Sequence, residues 1–529
     1  MLISPPFGGG RAPVLARNSV ASSQPLATQA GIEALQSGGN AVDAALATAI
    51  TLTVVEPTMN GIGGDGFALI WDGKKLHGLN ASGRAPAAWT PEYFAGKAAM
   101  DLIGWKTVTV PGMVAGWIEL SRKFGKLPFE QLFRRAIDYA ENGFPVSPVI
   151  ARQWGEAVPI LKNEPGFSES FLLNGKSPAA GQIWSYPEQA KTLKEIAATK
   201  TASFYKGPLA KQMVDFAQAT GGCFTMQDFA NYTIERVEPL AFDYGEYTLH
   251  EIPPNGSGIA AQIALGILEA ANVKQYPANS AKRIHLQVEA MQMAFADAYA
   301  YVSDSSSMKI PPSALLDKKY LASRAALIDH NKSGSYGPCD PHSGGTVYLC
   351  AADESGMMIS YIQSNFKGFG SGVVAPGGIA FHNRGMGFSL VYGHPNQVAP
   401  GKRPFHTIIP AFLTKGNQPA MAFGVMGGNM QPQGHVQFVM HFVDDSLNPQ
   451  ACSDAPRWRI DDLGKLTVEA AMPQSIIDGL KALGHEVAIQ APNSLDFGSA
   501  QAIARLSEDT GTAYIAGSDH RRDGLAAGF

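Results

Sequence analysis

The chain has 529 residues, of which 45% are hydrophobic and 16% are charged, and its formal net charge is −4. This length suits one large or two to three ordinary domains, and the composition excludes a disordered chain. The small net charge gives no sign of a nucleic-acid partner. No segment resembles a signal peptide and no apolar run is long enough to span a bilayer, so we expect a cytoplasmic protein without membrane contact.

Most of the elements predicted in the first half of the chain are helices. Residues 19–56 contain two of them: serine caps and Pro25 open the first, and Asn40 can cap the second, which Pro57 ends. The sequence GIGGDGFALIWDG then predicts a glycine turn that enters a strand. Apolar residues at helical spacing predict another helix over residues 127–142.

The second half changes from helices to strands. The longest amphipathic helix is predicted over residues 280–304, and a polar connector with weak patterning follows over residues 305–345. Two apolar runs, residues 347–351 and 357–362, are joined by ADESG and predict a hairpin. A second hairpin is predicted over residues 406–428. This order of elements indicates a layered architecture of helices and strands.

No cofactor or metal site is predicted. His435 and His441 are six residues apart, an interval that does not place two ligands on one helix face. The GIGGDGF turn lacks the Gly-Lys-Ser/Thr ending of a phosphate loop. The four cysteines are widely spaced and are expected to be reduced thiols: Cys223, Cys339, Cys350 and Cys452.

Thr346 is the main candidate for a catalytic residue, although a β-branched residue that opens a strand is ordinary. Gly344 and Gly345 precede it, and the connector before them can be cut without damage to the core. A threonine that becomes a chain terminus also carries its own base, because its α-amine titrates near neutrality. Glycine-rich stretches downstream, SNFKGFGSG and GVMGGN, could supply N–H groups for an oxyanion.

Several motifs in one order resemble the γ-glutamyltranspeptidase family of N-terminal nucleophile hydrolases. The segments are ATQAGIEALQSGGNAVDAALA, EPTMNGIGGDGFALI, VPGMVAGW, PPNGSGIAAQ, GKRPFHTIIP, GVMGGN and SDHRRDGLAAGF. The resemblance implies an α+β fold, the four-layer αββα sandwich. It also implies a precursor that cuts itself between Gly345 and Thr346, giving a large chain of residues 1–345 and a small chain of residues 346–529 that form one unit, with a dimer of such heterodimers as one assembly.

The resemblance also assigns roles to catalytic residues. Thr346 would be the nucleophile, first for self-cleavage and then for an amide substrate through an acyl-enzyme. Gly427 and Gly428 match the oxyanion glycines of the family. Ser364 matches a second hydroxyl that supports the nucleophile, and its alternative interpretation is an ordinary strand serine.

The positions that recognise substrate depart from the family pattern. Where typical members read N-N-Q-M-D-D-F, this chain reads HNRGMGF over residues 382–388, so that glutamine becomes Arg384 and an acidic residue becomes Gly387. The other changed positions are His406 and Thr407 in place of two serines, Phe366 in place of an asparagine, and Ser82 in place of an arginine, with Arg84 two residues later.

Loss of a carboxylate removes the partner of a substrate ammonium group, whereas added arginines favour a carboxylate. We therefore expect an amidohydrolase for a small acid without an α-amino group, with Arg384, Arg84 and His406 binding the anion, and oxamate is the preferred substrate. The alternatives are a γ-glutamyltranspeptidase or glutathione hydrolase, a glutaryl-type cephalosporin acylase, and an unprocessed binding relative. Arg384 could also be an ordinary surface residue.

Overall fold

The computed structural model describes residues 10–334, 336, 345–461, 464–490, 494–506 and 512–529. Two seven-stranded antiparallel sheets lie face to face at the centre, and helices cover the outer face of each sheet. This is the four-layer αββα sandwich that the resemblance implied. Cys339 and most of the segment before the expected cleavage site, residues 337–344, lie outside the described residues.

The α-helices are, in chain order, α1 Pro25–Gln36, α2 Ala41–Val55, α3 Met113–Phe124, α4 Arg134–Asn142, α5 Pro148–Leu161, α6 Phe167–Phe171, α7 Pro187–Thr199, α8 Ala202–Lys206, α9 Pro208–Ala219, α10 Met226–Ala230, α11 Ile259–Ala270, α12 Ala281–Tyr301, α13 Pro312–Leu315, α14 Lys318–Ala325, α15 Met430–Val443, α16 Pro449–Asp454 and α17 Gln474–Ala482. Short 3₁₀ helices cover Pro91–Phe94, Trp105–Thr107, Phe129–Phe133, Val273–Gln275, Ser305–Ser307, Arg384–Gly387 and Leu495–Phe497.

The strands are β1 Val14–Ala16, β2 Ser19–Ser22, β3 Asp65–Trp71, β4 Leu76–Ala81, β5 Phe144–Pro145, β6 Ile183–Trp184, β7 Glu235–Val237, β8 Leu240–Tyr244, β9 Tyr247–Glu251, β10 Gly345–Ala352, β11 Met358–Phe366, β12 Val374–Ala375, β13 Ile379–Ala380, β14 Ala411–Lys415, β15 Gln418–Met426, β16 Trp458–Ile460, β17 Leu466–Glu469, β18 Val487–Gln490, β19 Ser499–Arg505, β20 Tyr514–Ser518 and β21 Leu525–Gly528.

The first central sheet has the strand order β21-β2-β10-β11-β3-β4-β7, and the second has the order β1-β20-β19-β15-β14-β9-β8. Each sheet therefore combines strands from before and after residue 345. The sheets approach each other closely where β10 crosses β15, because Gly424 has no side chain at a place where a Cβ atom would lie 2.5 Å from the Tyr348 ring. Such a shared core makes the two segments interdependent.

Helices α1, α2 and α3 pack on the first sheet, and α11, α15 and α16 pack on the second. The strands β3 and β11 are buried along their whole length, which is the consequence of having a layer on both faces. One apolar cluster fills the space between the first sheet and its helices, and another fills the corresponding space of the second sheet. Among the described residues, no helix is both long and apolar enough to cross a membrane.

Most predicted elements are confirmed, including both hairpins and the Asn40 cap, whose side chain accepts hydrogen bonds from the N–H groups of Val42 and Asp43. Three details were wrong. The cap of α1 is Gln24 rather than a serine, the segment 127–142 begins as a 3₁₀ helix before α4, and the connector 305–345 contains α13 and α14. The predicted amphipathic helix over residues 280–304 is α12, and most of its residues, polar ones included, are buried.

Candidate active site

Thr346 lies at an irregularity between two central strands. Gly345 pairs with Phe366 and Val347 pairs with Gln363, so that Thr346 on β10 faces two residues of β11. Such a bulge bends the strand and redirects side chains, which is why bulges are common beside active sites. Phe366 ends the irregularity with a φ of 78°, an uncommon conformation for a residue with a side chain. The bulge therefore sets the direction of the Thr346 side chain.

The Thr346 hydroxyl is buried and contacts two other polar side chains. It donates a hydrogen bond to Ser364 Oγ over 3.3 Å and accepts one from Gln431 Nε2, also over 3.3 Å. Ser364 Oγ in turn accepts a hydrogen bond from the Phe366 N–H over 2.6 Å. Because Gln431 Oε1 accepts from the Ile409 N–H over 2.9 Å, the amide group is fixed with its NH₂ toward Thr346. The hydroxyl therefore has a defined orientation.

A glycine turn joins this hydroxyl to the start of α15. Gly427 and Gly428 have φ values of 136° and 60°, and the carbonyl of Gly428 accepts a hydrogen bond from the Gln431 N–H. Gln431 is thus one turn away from both glycines and in direct contact with Thr346. The glycine turn thus precedes the helix whose second residue contacts Thr346, and the positive end of that helix dipole favours a negative charge.

Arg384 is not a surface residue, since only 1% of its area is exposed. Its Cζ atom lies 4.4 Å from the centroid of the Phe366 ring, and its Nη1 donates a hydrogen bond to Thr407 Oγ1 over 2.8 Å. Burial lowers the pKa of Arg384 to about 9, although the nearby charge of Asp65 opposes this shift. The guanidinium is therefore a desolvated cation held against the same strand end as the nucleophile.

Two nitrogen atoms of this guanidinium have no hydrogen-bond partner in the described part of the chain. Nε and Nη2 of Arg384 are buried and find no hydrogen-bond acceptor among the residues that the structure describes. These two atoms form one edge of the planar group, and that edge matches the two oxygens of a carboxylate. Buried donors without acceptors are costly, so the edge favours an anionic ligand.

Asp65, at the start of β3, is a second charged group of the site and was missed by sequence reasoning. Burial raises the pKa of its carboxyl to about 7, against the lowering effect of hydrogen bonds from Gly83 and Gly112 and of Arg384. Its Oδ2 atom lies 3.2 Å from Nε2 of His406, and its Oδ1 atom lies 3.6 Å from Nε2 of His382. Protein donors thus surround this carboxylate.

The two histidines are uncharged partners of Asp65. Burial and then the charge of Arg384 hold the pKa of both His406 and His382 well below the ordinary value. His382 Nδ1 also accepts a hydrogen bond from the Arg384 N–H over 3.0 Å. His406 therefore belongs to the site as a neutral group that contacts Asp65, rather than as a second cation.

The structure does not place Arg84 with the other candidates. Its guanidinium donates hydrogen bonds to Glu235, to Asp304 and to the carbonyl oxygen of Gly401. Three protein acceptors thus occupy the side chain. Ser82, at the position of the family arginine, donates a 2.6 Å hydrogen bond to Asn80. The candidate residues that contact the Arg384 guanidinium are therefore Thr407 and Phe366, whereas Arg84 is paired elsewhere.

Gly387 occupies the position of the missing acidic residue, and no side chain fits there. A Cβ atom at Gly387 would lie 2.3 Å from the carbonyl oxygen of Phe405. The chain therefore has no carboxylate at this position, and the surrounding backbone leaves no space for one.

Two residues of the site, Asp65 and Gln431, were not candidates in the sequence. The available signal for Asp65 was a carboxylate inside the glycine turn GIGGDGF, and the signal for Gln431 was its position three residues after Gly428. Neither pattern reveals the distant partner: Gln431 contacts Thr346, 85 positions away, and Asp65 contacts His406, 341 positions away.

Comparisons with known proteins agree with this architecture. The sequence profile of the gamma-glutamyltranspeptidase family matches residues 27–529. The glutathione hydrolase-like YwrD proenzyme of Bacillus subtilis is 35% identical over 523 residues, which cover 97% of this chain and 98% of that protein. The oxamate amidohydrolase proenzyme of Klebsiella pneumoniae is 35% identical over 518 residues, which cover 95% and 97%.

A solved structure is also similar over almost its full length. The cephalosporin acylase from Bacillus halodurans superimposes with a TM-score of 0.92 and 43% identity, and the match covers 99% of this chain and 98% of that chain. The expected family, fold and reaction class are thereby confirmed. The chain belongs to the γ-glutamyltranspeptidase family and is a hydrolase that acts on amide bonds.

Proposed function

We propose that the protein is a self-processing amidohydrolase whose substrate is a small carboxylate-bearing amide without an α-amino group, with oxamate preferred. The observation that carries the proposal is the buried Nε and Nη2 edge of Arg384, which has no acceptor among the described residues. A substrate carboxylate would accept both hydrogen bonds and neutralise the charge.

Self-processing begins at the Gly345–Thr346 bond. Thr346 Oγ attacks the Gly345 carbonyl carbon, the peptide C–N bond breaks, and the acyl group moves from nitrogen to oxygen as an ester. Water then hydrolyses the ester, which releases the carboxylate of Gly345 and the α-amine of Thr346. The bulge supports this step because it holds the hydroxyl outside the regular strand pairing, between Ser364 and Gln431.

Substrate hydrolysis uses the same hydroxyl and the new amine. The α-amine of Thr346 accepts the Oγ proton while Oγ attacks the amide carbon, and the N–H groups of Gly427 and Gly428 stabilise the oxyanion. The proton then passes to the leaving nitrogen, which departs as ammonia or an amine. Water attacks the acyl-enzyme, and the acid leaves as a second carboxylate.

The short path between nucleophile and cation supports a short acyl group. Thr346 contacts Ser364, the Phe366 N–H contacts the same Ser364 oxygen, and the Phe366 ring contacts Arg384. A two-carbon acid such as oxamate carries its carboxylate directly on the amide carbonyl. The Klebsiella relative, named as an oxamate amidohydrolase proenzyme, agrees with this choice.

A cephalosporin acylase activity is the second candidate, since the Bacillus halodurans acylase is 43% identical over nearly the whole chain. The same arginine edge would then bind the far carboxylate of a glutaryl-type side chain. The B. subtilis relative is named as glutathione hydrolase-like. Glutathione hydrolysis is disfavoured here because Asp65 is surrounded by protein donors and Gly387 cannot carry a carboxylate.

A substrate panel tests the proposal. Purified protein is incubated with oxamate, succinamate and glutamine, and ammonia release is measured; a glutaryl cephalosporin and glutathione are assayed for release of their amines. We expect kcat/KM for an acidic amide without an α-amino group to exceed that for the γ-glutamyl substrates by at least about 100-fold, because the described site offers no free carboxylate to a buried substrate ammonium group. Efficient release of glutamate from glutathione, with no turnover of the acidic amides, would overturn it.

A further inference from the structure

Three metal-ligating side chains meet on the far side of the second sheet's helices, away from the residues described above. His285 and Glu289 lie four residues apart on α12, and His485 follows α17. All three are buried, and one ligand atom from each lies within 4.8 Å of the others. Nδ1 of His285 is 2.8 Å from Nε2 of His485, and Oε1 of Glu289 is 3.9 Å and 4.0 Å from those two nitrogens.

The hydrogen-bond donors present do not satisfy this cluster. His285 Nε2 lies 2.8 Å from the carbonyl oxygen of Asp329, which only accepts, so Nε2 carries the proton and Nδ1 presents a lone pair. Glu289 Oε1 is buried and has no hydrogen-bond partner among the described residues. The proton on His485 Nε2 can be donated to His285 Nδ1 over 2.8 Å, and a metal ion that replaced this proton would receive an electron pair from each of the three side chains.

Two hydrogen bonds to Oε2 orient the Glu289 carboxylate. Its Oε2 atom accepts hydrogen bonds from the Gly334 N–H over 2.9 Å and from the Tyr336 hydroxyl over 2.7 Å, which directs Oε1 toward the two imidazoles. Within the described part of the chain, its salt-bridge contacts are with those imidazoles alone. A buried carboxylate needs a cation nearby, and two orienting hydrogen bonds of this kind are typical of metal ligands.

We propose that His285, Glu289 and His485 form a zinc site, with a water molecule as the fourth ligand. Two imidazoles and a carboxylate are a ligand set that zinc accepts. Tetrahedral zinc with bonds of about 2.0–2.1 Å places neighbouring ligand atoms roughly 3.3 Å apart, so each of the three observed distances needs to change by less than about 1 Å. The hydrogen bond that His285 Nε2 donates to the Asp329 carbonyl oxygen fixes the tautomer that the metal requires.

The site would connect the two products of processing. This consequence depends on the cleavage at Gly345–Thr346 proposed above, because His285 and Glu289 lie before that bond and His485 lies after it. Zinc would then bind ligands from both the large chain and the small chain, which are no longer joined by a peptide bond. Metal binding itself is independent of cleavage, since all three ligands are also close together in the uncut chain.

Zinc content tests the site. Full-length protein, without a histidine tag, is purified as wild type and as Thr346→Ala, treated with a chelator, and titrated with Zn²⁺ alone in competition with a chromophoric chelator. We expect one Zn²⁺ per 529-residue unit, cut or uncut, in both forms and a rise in Tm when Zn²⁺ is restored. Binding to Thr346→Ala separates this result from any failure of processing.

Matched variants identify the ligands. His485→Ala and Glu289→Gln should weaken Zn²⁺ binding at least about 100-fold. His441→Ala is the control and should leave binding unchanged, because His441 lies on α15 and its imidazole pairs with Asp445 just after that helix. Glu289→Gln conserves the side-chain shape and serves if His485→Ala fails to fold. Less than a tenth of an equivalent of Zn²⁺ bound to wild type, with no change in Tm, or equal binding by Glu289→Gln and wild type, would overturn the proposal.

Discussion

The Arg384 guanidinium lies over the Phe366 ring, with Cζ 4.4 Å from the ring centroid, and this contact joins the anion site to the nucleophile. Phe366 is also the residue whose N–H donates to Ser364 Oγ, the acceptor of the Thr346 hydrogen bond. One residue at the end of β11 thus supports both the cation and the hydroxyl. Phe366 therefore connects the proposed anion site with the proposed nucleophile.

Thr346→Ala should remain a single chain and should have no activity, because it lacks the hydroxyl that attacks both the Gly345 carbonyl and the substrate. Thr346→Ser is the matched control and should still give two chains. Denaturing electrophoresis and ammonia release measure the two outcomes. Two bands from Thr346→Ala would show that Thr346 is not the nucleophile of processing.

Arg384→Ala should lower kcat/KM for the acidic amide by about 10- to 150-fold, mainly through KM, because a bidentate hydrogen bond to a carboxylate contributes on the order of 1.5–3 kcal/mol. Arg384→Lys should recover little of this, since an ammonium lacks the planar edge. Arg84→Ala is the control, as protein acceptors already occupy that guanidinium. Steady-state kinetics of the three variants measure these changes in kcat/KM. Equal decreases for Arg84→Ala and Arg384→Ala would contradict the proposal that Arg384 binds the substrate carboxylate.

Gln431→Ala should slow both processing and turnover by about 10-fold or more with little change in KM, because one hydrogen bond that orients the Thr346 hydroxyl is lost. Gln433 lies on the same helix, and in the described part of the chain its side-chain amide bonds to backbone groups of Asn429 and Ile460. The control Gln433→Ala should lower stability without a specific loss of kcat. Time courses of chain cleavage distinguish the two variants, and an equal rate in both would remove Gln431 from the site.

Asp65 should make stability depend on pH. Its carboxyl pKa is raised by burial from 3.8 to about 7, so the native state binds more protons than the unfolded state between these values. Stability therefore falls as the pH rises from about 4 to 7, by on the order of 4 kcal/mol for a shift of this size.

Asp65→Asn removes that titration. The Tm of the variant minus that of the wild type should increase from pH 5 to pH 8, whereas the same difference for Asp72→Asn, a residue of a part-exposed turn, should show no such increase. Thermal unfolding in buffers of matched ionic strength measures both. A constant difference between Asp65→Asn and wild type over this range would mean that Asp65 does not titrate there.

Gly387→Asp restores the acidic residue of the family pattern and should fail to create a γ-glutamyl hydrolase. A Cβ atom at this position would lie 2.3 Å from the Phe405 carbonyl oxygen, so we expect a lower Tm and lower activity on every substrate. Gly155→Ala is the control. Gly155 lies in α5, and a Cβ atom there would make only an ordinary contact of 3.6 Å with Ser177 Oγ. A stable Gly387→Asp variant that hydrolyses glutathione would refute this explanation of specificity.

The sequence by itself determined the elements and the family. Alternating and helical patterns, the Asn40 cap and the β10–β11 hairpin depend on neighbours within a few residues, so they can be predicted locally. The same is true of Thr346 at the start of its strand. The order of the motifs then identified the fold.

Only the tertiary structure decided which charged side chains work together. Arg384 was ambiguous until its burial and its unpaired edge were visible, and Arg84 was assigned to the anion although Glu235 and Asp304 bind it. His285 and His485 are 200 residues apart, and no spacing rule joins them. The physical reason is that burial and hydrogen bonding of a side chain depend on residues that are distant in the chain, and these are brought together by the packing of the two sheets and their helices.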